Sequence, residues 1–400
     1  MGENNKRSLP MPGQCLMFST ADWDEPYWTN KQHSALQLSR IGWEVIYVES
    51  MGLRAPRPGS KKDLGRLYSR FKKGLLSIIT GAHKREGKVS VLSPLVIPGG
   101  HSNKWIKTIN QYLLGYAVRK SGFNEVDGSL IWTYHPYIYK YALKNNNSKM
   151  IYHCVDDLGE VPGINKRNFE EAEKELINNA DCVFVTAPAL KEKISKLKSE
   201  TYYLSNVVDA SHFNRDKNMY EEPKDIFKIP RPRLVYHGVL SDFKIDFELL
   251  YECAVERVDW SFVIIGDERE GQNSKLVKKL KKLPNLHFLG FKSYKDLPSY
   301  LKYMDVGLLP TLRNNYTKSM FPMKLYEYIS MELPVVTTKL DFLRGGYQGV
   351  EIGDTSREFI DSIQLQLDRG LLTKDQVESL IGENTWEIRT KRMLEIAYNK

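Results

Sequence analysis

Residues 305–338 (DVGLLPTLRNNYTKSMFPMKLYEYISMELPVVTT) concentrate the side chains that hold an anionic, hydroxyl-bearing ligand. An apolar run ending at Pro310 reads as a strand, followed by a polar loop with Asn314, Asn315, Thr317 and Ser319. The pattern then predicts a helix over 322–331, opened by Pro322. Proline suits a first helical position, because its φ is already helical and no N–H is needed there. The free N–H groups and dipole of such a helix end attract phosphate, and Lys318 and Lys324 stand beside it. Glu327 follows one turn on, where a carboxylate can accept from ribose hydroxyls. One short segment could therefore hold a diphosphate and a ribose. The alternative is a plain i,i+3 ion pair between Lys324 and Glu327, worth about 0.2–0.5 kcal/mol.

A second group lies earlier in the chain. Residues 129–141 (SLIWTYHPYIYKY) read as a strand, then His135, then a helix opened by Pro136. His135 either hydrogen-bonds a sugar or acceptor hydroxyl, or caps that helix. The run IYHCVDD puts His153, Asp156 and Asp157 at the end of the next strand. These three either orient an acceptor or, for Asp157, start a turn. No carboxylate pair stands at acid/base spacing, and no D-x-D ends a strand. The cysteines Cys15, Cys154, Cys182 and Cys253 form no close pair. No metal site and no redox pair are expected from them. A dehydrogenase is disfavoured, because no G-x-G-x-x-G follows a strand.

The elements that must position these residues alternate. Strands are expected at 15–20, 43–49, 89–92, 130–134, 150–154 and 182–186, with helices such as 29–40 and 168–179 between them. A second series has strands at 234–237, 261–265, 286–289, 306–309 and 335–338, with helices at 274–283 and 294–303. A long helical tail runs from 356 to the end. Such alternation implies parallel sheets covered by helices. The 400 residues, 42% hydrophobic and 27% charged, suit two domains of ordinary globular composition. The polar, proline-bearing stretch 209–233 reads as the linker between them. Ligands of open α/β sheets bind beyond the carboxyl ends of the strands, so two such domains would enclose a cleft.

The net charge of +9 is local. Residues 54–88 hold eleven Lys/Arg against Asp63 and Glu86, so this segment alone carries +9. Within it Leu64, Leu67, Tyr68, Phe71, Leu75 and Ile78/Ile79 recur at helical spacing. That pattern fits a helix lying on an anionic membrane surface, or one packing its stripe on its own domain. Nucleic acid is disfavoured for want of a recognition motif. No stretch is long and apolar enough to span a bilayer. The polar start (MGENNKRSLPMPGQ) lacks a signal-peptide core, and Lys6 breaks the myristoylation pattern. A cytoplasmic, peripheral protein on the inner face of the plasma membrane is the expectation.

Several pieces, in order along nearly the whole chain, resemble GT-B glycosyltransferases of family 4. Pro322, Lys324, Glu327 and Tyr328, followed by Pro334–Val335–Val336, resemble that family's donor-site helix and next strand. Leu289–Gly290–Phe291 with Tyr294 and Leu297–Pro298 resembles the stretch whose backbone touches the base. Ser205–Asn206–Val207–Val208–Asp209 with Phe213 resembles the interdomain junction. The segment VYHGVLSDFKIDFELL resembles the first strand-loop of the second domain, where a cation meets the phosphates. Thr385, Trp386 and Arg389 resemble a tail that packs back on the first domain. Trp28, Gln32, GWEVIYVES and YHCVDD resemble bacterial enzymes of cell-surface polysaccharide synthesis.

The resemblance implies an α/β, GT-B fold: two Rossmann-like domains with parallel sheets facing across a cleft. It divides the chain into an acceptor domain (1–208), a nucleotide-sugar domain (209–380) and a returning C-terminal helix (381–400). The implied activity is a retaining, metal-independent transfer of a sugar from a UDP-sugar to a glycan or lipid-linked saccharide. No cofactor beyond that substrate is implied. Donor-binding residues would be Gly238, Lys244, Gly290, Phe291, Lys318, Ser319, Met320, Phe321, Pro322, Lys324 and Glu327. His135, Lys244, Lys324 and Glu327 would serve catalysis, the lysines by stabilising the leaving diphosphate. His153, Asp156 and Asp157 would face the acceptor. Two positions depart from the family pattern: Ser319 where a first Glu is usual, and Val239 where an Arg is common. Those departures are what a non-catalytic binding subunit would show. A nucleotide-sugar epimerase of the same fold is the other alternative.

Overall fold

The computed structural model describes residues 10–52, 61–97, 103–124, 128–138, 148–217, 220–269, 272–344 and 346–399. Residues 54–60 of the basic segment, and most of the helix expected after Pro136, lie outside them. The chain divides into two compact units, 1–204 with 386–400, and 205–385.

Unit 1 begins β1 (Gln14–Phe18), α1 (Asn30–Arg40), β2 (Glu44–Val48), α2 (Lys61–Thr80), β3 (His83–Lys84), β4 (Val89–Leu92) and α3 (Lys104–Lys120). It continues β5 (Leu130–Thr133), β6 (Lys149–Cys154), α4 (Lys166–Asn179), β7 (Cys182–Val185), α5 (Pro188–Ile194) and β8 (Thr201–Tyr203). The sheet order is β3-β4-β2-β1-β5-β6-β7-β8. All pairs are parallel except the short β3–β4. Runs such as CVFV in β7 are buried throughout, as helix cover on both faces requires.

Unit 2 holds β9 (Arg233–His237), α6 (Phe247–Glu256), β10 (Ser261–Ile265), α7 (Lys275–Leu280), β11 (Leu286–Gly290), α8 (Leu297–Leu301) and β12 (Val306–Leu309). It continues α9 (Asn315–Lys318), α10 (Lys324–Ser330), β13 (Val335–Thr337), β14 (Val350–Ile352), α11 (Ser356–Arg369) and α12 (Lys374–Ile381). Its sheet is all parallel, in the order β11-β10-β9-β12-β13-β14. Alternate residues feed two cores: Val235, Val263 and Ile265 on one face, Leu234, Phe262 and Ile264 on the other. The last helix, α13 (Trp386–Tyr398), belongs to unit 1 and packs on α1. His33 stacks on Trp386 there, with ring centroids 5.0 Å apart.

Three expectations are corrected. The stretch 209–233 is not a free linker, because Phe213, Ile226 and Ile229 are buried in the core of unit 2. Ser330 Oγ also donates to the Phe213 carbonyl at 2.7 Å. Apolar residues scattered among polar ones were enough to strap it down. The tail from 356 is three helices, interrupted at Gly370 and Gly382. Finally, α10 starts at Lys324 with Met323 as its cap, not at Pro322. The N–H of Leu325 turns back to the Pro322 carbonyl, and those of Tyr326 and Glu327 to Met323.

Candidate functional site

In an open α/β sheet the ligand crevice opens where strand order reverses, at the carboxyl ends. In unit 2 that point lies between β9 and β12, since β9 pairs with β10 on one side and β12 on the other. β9 ends at His237, and Gly238 follows with φ +123°. A Cβ at Gly238 would collide with the Lys324 side chain, standing 2.8 Å from its Nζ. The missing side chain is what lets Lys324 cross the strand end. Lys324 Nζ lies 5.6 Å from the Tyr236 ring centroid. Burial lowers the Lys324 pKa and Lys244 adds to the lowering, while Glu327 opposes it. The two lysines thus feel each other's charge, which an anion between them would relieve.

Glu327 is buried, and its Oε2 lies 3.2 Å from His237 Nε2. The His237 pKa is lowered by burial, with Glu327 pulling the other way. The next residue, Tyr328, fixes this geometry. Its hydroxyl donates to the Val235 carbonyl and accepts from the His237 N–H, both at 3.1 Å. Gly307 on β12 makes room, because a Cβ there would come 2.5 Å from the Tyr328 ring. α10 is therefore latched to the end of β9, and the latch sets where Lys324 and Glu327 point.

The loop bearing Lys244 is tied to the loop after β12. Leu312 N–H donates to the Lys244 carbonyl at 2.9 Å, and Asn314 Nδ2 donates to the Phe243 carbonyl at 2.7 Å. Lys244 Nζ lies 4.7 Å from the Tyr316 ring centroid. A capping box between Asn314 and Thr317 shapes α9, leaving Lys318 exposed at its end. Gly290 joins the row of strand ends: its carbonyl accepts from Gly266 N–H, and Gly238 N–H donates to Ile265, both at 2.8 Å. Phe291 follows, with the Arg269 guanidinium 5.8 Å from its ring.

The structure thus gathers Gly238, Lys244, Gly290, Lys324 and Glu327 at the carboxyl edge of one sheet. Lys318 ends the adjoining α9, and Ser319 and Met320 lie on the loop that follows it. The Phe321 and Pro322 side chains are buried, which leaves only their backbone to meet a ligand. Phe321 packs on Phe342, centroids 4.5 Å apart, and offers a ligand no side-chain surface. The expected helix-end phosphate site is also reduced, because the N–H groups of Leu325, Tyr326 and Glu327 are spent within the turn. His237 and Arg269 were missed. The signal for His237 was its place directly before Gly238 at a strand end.

The residues assigned to the acceptor sit in unit 1. His135 is fully buried, and its Nδ1 accepts from the Tyr137 N–H at 3.1 Å, a local turn contact. His153 is buried against Tyr134, whose hydroxyl lies 3.2 Å from Nδ1. Burial first, then the charges of Lys31 and Arg389, lowers its pKa to about 3. Both Asp157 oxygens accept from Lys193 Nζ at 3.0 Å, and Glu173 completes the cluster. Asp157 is therefore a structural anchor, and only half-buried Asp156 keeps partial exposure.

The family model described as Glycosyl transferases group 1 matches residues 231–368. The chain carries a glycosyl transferases group 1 domain. The matched stretch runs from β9 into α11 and contains Gly238, Lys244, Gly290, Lys324 and Glu327. TuaH of Bacillus subtilis (strain 168), named as a candidate teichuronic acid biosynthesis glycosyltransferase, is 27% identical over 208 residues. That match spans 48% of this chain and about half, 51%, of the relative's length. Among solved structures, sucrose-phosphate synthase from Thermosynechococcus elongatus aligns with TM-score 0.68 at 13% identity, covering 96% of this chain and 97% of that one. Anabaena HepE in complex with UDP and glucose aligns with TM-score 0.57 at 14% identity, covering 95% and 96%. The fold is that of GT-B glycosyltransferases.

Proposed function

We propose that the protein is a glycosyltransferase that moves a sugar from a nucleoside-diphosphate sugar, UDP-linked, to a glycan or lipid-linked saccharide. The observation that carries this reading is the cluster of Gly238, Lys244, Lys324 and Glu327 at the β9/β12 crevice of a glycosyl transferases group 1 domain. Glu327 would accept from ribose hydroxyls. Lys244 and Lys324 would hold the diphosphate and stabilise the charge that grows on it as the sugar departs. The resemblance to family-4 enzymes adds retention of anomeric configuration to the reading. It also adds the leaving phosphate as acceptor of the incoming hydroxyl's proton. The UDP complex of HepE and the name of TuaH support a UDP donor and a surface-polysaccharide setting.

The reading places the enzyme at the inner face of the plasma membrane. Its support is α2, whose Tyr68, Phe71 and Ile79 are exposed rather than packed on their own unit. Among the described residues no helix is long and apolar enough to cross a membrane.

A thermal-shift screen with UDP, GDP, dTDP, CMP and NAD tests the donor assignment. A ligand at a hundred times its dissociation constant adds about 2.7 kcal/mol. A selective shift with UDP is expected; no shift with any nucleoside diphosphate would reject the transferase reading.

A further inference from the structure

Two neighbouring helices of unit 1 turn apolar stripes outward. α2 seats on its unit through its small residues: a Cβ on Gly74 would stand 2.9 Å from Leu95 Cα, and Ser77 Oγ accepts from the Ser93 N–H at 3.3 Å. The bulky side chains are left outside, with Tyr68 72%, Phe71 56% and Ile79 66% exposed. α3 repeats the arrangement with Trp105 at 81% and Tyr112 at 73%. An exposed apolar surface of this extent marks an interaction site.

Between these helices and the 94–97 segment lies a chamber of 540 Å³. Met51, Phe71, Leu95, Val96, Ile97 and Leu113 line it, with Arg70 as its cation. It opens past the carboxyl ends of β2 and β4, the edge where open α/β sheets take ligands. The volume is in the range of small-molecule pockets.

We propose that this chamber holds part of the hydrocarbon chain of a polyprenyl-phosphate-linked acceptor, drawn from a bilayer on which α2 and α3 lie. The inference rests on the glycosyl-transfer reading above. Three observations select this occupant. The chamber wall is apolar but for Arg70, Ser50 and the hydroxyl of Tyr68, which suits a hydrocarbon chain. Residues 61–80 and 104–120 contain ten Lys/Arg and one acid, Asp63, which complements anionic headgroups. The position at the sheet's ligand edge favours a substrate's tail over a bulk lipid's. Arg70, 3.7 Å from Asp22 and partly exposed, is placed to meet the phosphate.

The test is calorimetric titration of the full chain with farnesyl phosphate, with dodecyl phosphate and inorganic phosphate as comparators. UDP is titrated in parallel. Each buried methylene is worth about fourfold in affinity. Farnesyl phosphate should therefore bind far more tightly than inorganic phosphate. Val96→Trp, which fills the chamber, should weaken it by about tenfold or more, with UDP affinity unchanged. Phe71→Gln, at an exposed helix position, carries the same expectation if the first variant does not fold. Equal farnesyl phosphate affinity in wild type and a folded variant would overturn the proposal. Absence of farnesyl phosphate binding in a protein that binds UDP would overturn it while sparing the donor reading. Absence of UDP binding beside chamber-dependent farnesyl phosphate binding would reject the donor reading and leave the chamber a lipid site. Dodecyl phosphate binding as tightly as farnesyl phosphate would overturn the acceptor assignment in favour of a bilayer lipid.

Discussion

Glu327 Oε2 lies 3.2 Å from Nε2 of His237, joining α10 to the end of β9 across the crevice. Tyr328, the next residue, hydrogen-bonds the same strand end, so side chain and backbone agree on the carboxylate's position. A carboxylate held this way can meet a ribose with little further ordering. A hydrogen bond to a charged group is worth about 1.5–3 kcal/mol. Glu327→Ala should therefore weaken UDP binding by about tenfold or more. His237→Ala, which removes only the orienting partner, should cost less. Calorimetry decides, and unchanged affinity in Glu327→Ala would reject the ribose assignment.

Gly238→Ala tests the crossing of Lys324 over the strand end. The new methyl meets the lysine side chain and the residue is held at φ +123°. Strain of this kind costs about 1–3 kcal/mol, and displacing Lys324 should also weaken diphosphate binding. Adding Lys324→Ala removes the clash but not the backbone strain. The double variant should regain part of the lost stability and none of the binding. Urea denaturation of the two single variants and the double variant measures that non-additivity. Strict additivity would mean that the contact does not matter.

The fold was legible because both sheets are built from short apolar runs separated by helices, and period and order are written locally. Lys324 and Glu327 were legible for the same reason, being one helical turn apart. Their partners were not. His237 meets Glu327 only once β9 and α10 are packed, and the sequence says nothing of that distance. Asp157 looked like an acceptor ligand because it follows a strand, yet Lys193 from α5 claims both its oxygens. α2 was readable as amphipathic, but which face it buries depended on Gly74 fitting against Leu95, a tertiary contact.

The buried histidines make stability fall in acid. Burial holds the native His153 pKa at about 3, against about 6.5 for a free imidazole, and that of His237 is lowered as well. As pH drops below about 6.5 the unfolded chain takes up protons that the native rings refuse. The contribution is full above that pH and is lost progressively as pH falls toward the native value. At about 1.36 kcal/mol per unit, His153 alone should cost about 2 kcal/mol between pH 6.5 and pH 5. Urea unfolding at the two pH values should show a shallower decline in His153→Phe than in wild type. Equal declines would mean that His153 protonates freely in the native state.

The outward stripe of α2 separates two contributions to membrane binding. Lys72 is exposed and Lys73 partly so, while Tyr68 and Ile79 present apolar surface beside them. A basic residue near an anionic bilayer contributes about 1 kcal/mol, or about fivefold in affinity. Lys72→Gln with Lys73→Gln should therefore weaken binding to phosphatidylglycerol vesicles, read by co-sedimentation, by about 25-fold. Their loss should leave the weaker binding to neutral vesicles unchanged. Tyr68→Ser with Ile79→Ser should reduce binding to both, since burying apolar surface does not depend on headgroup charge. High salt should abolish the difference between wild type and the lysine variant, because screening acts on the charge component alone. If neither pair of substitutions changes binding to either vesicle, the exposed face of α2 serves something other than a membrane.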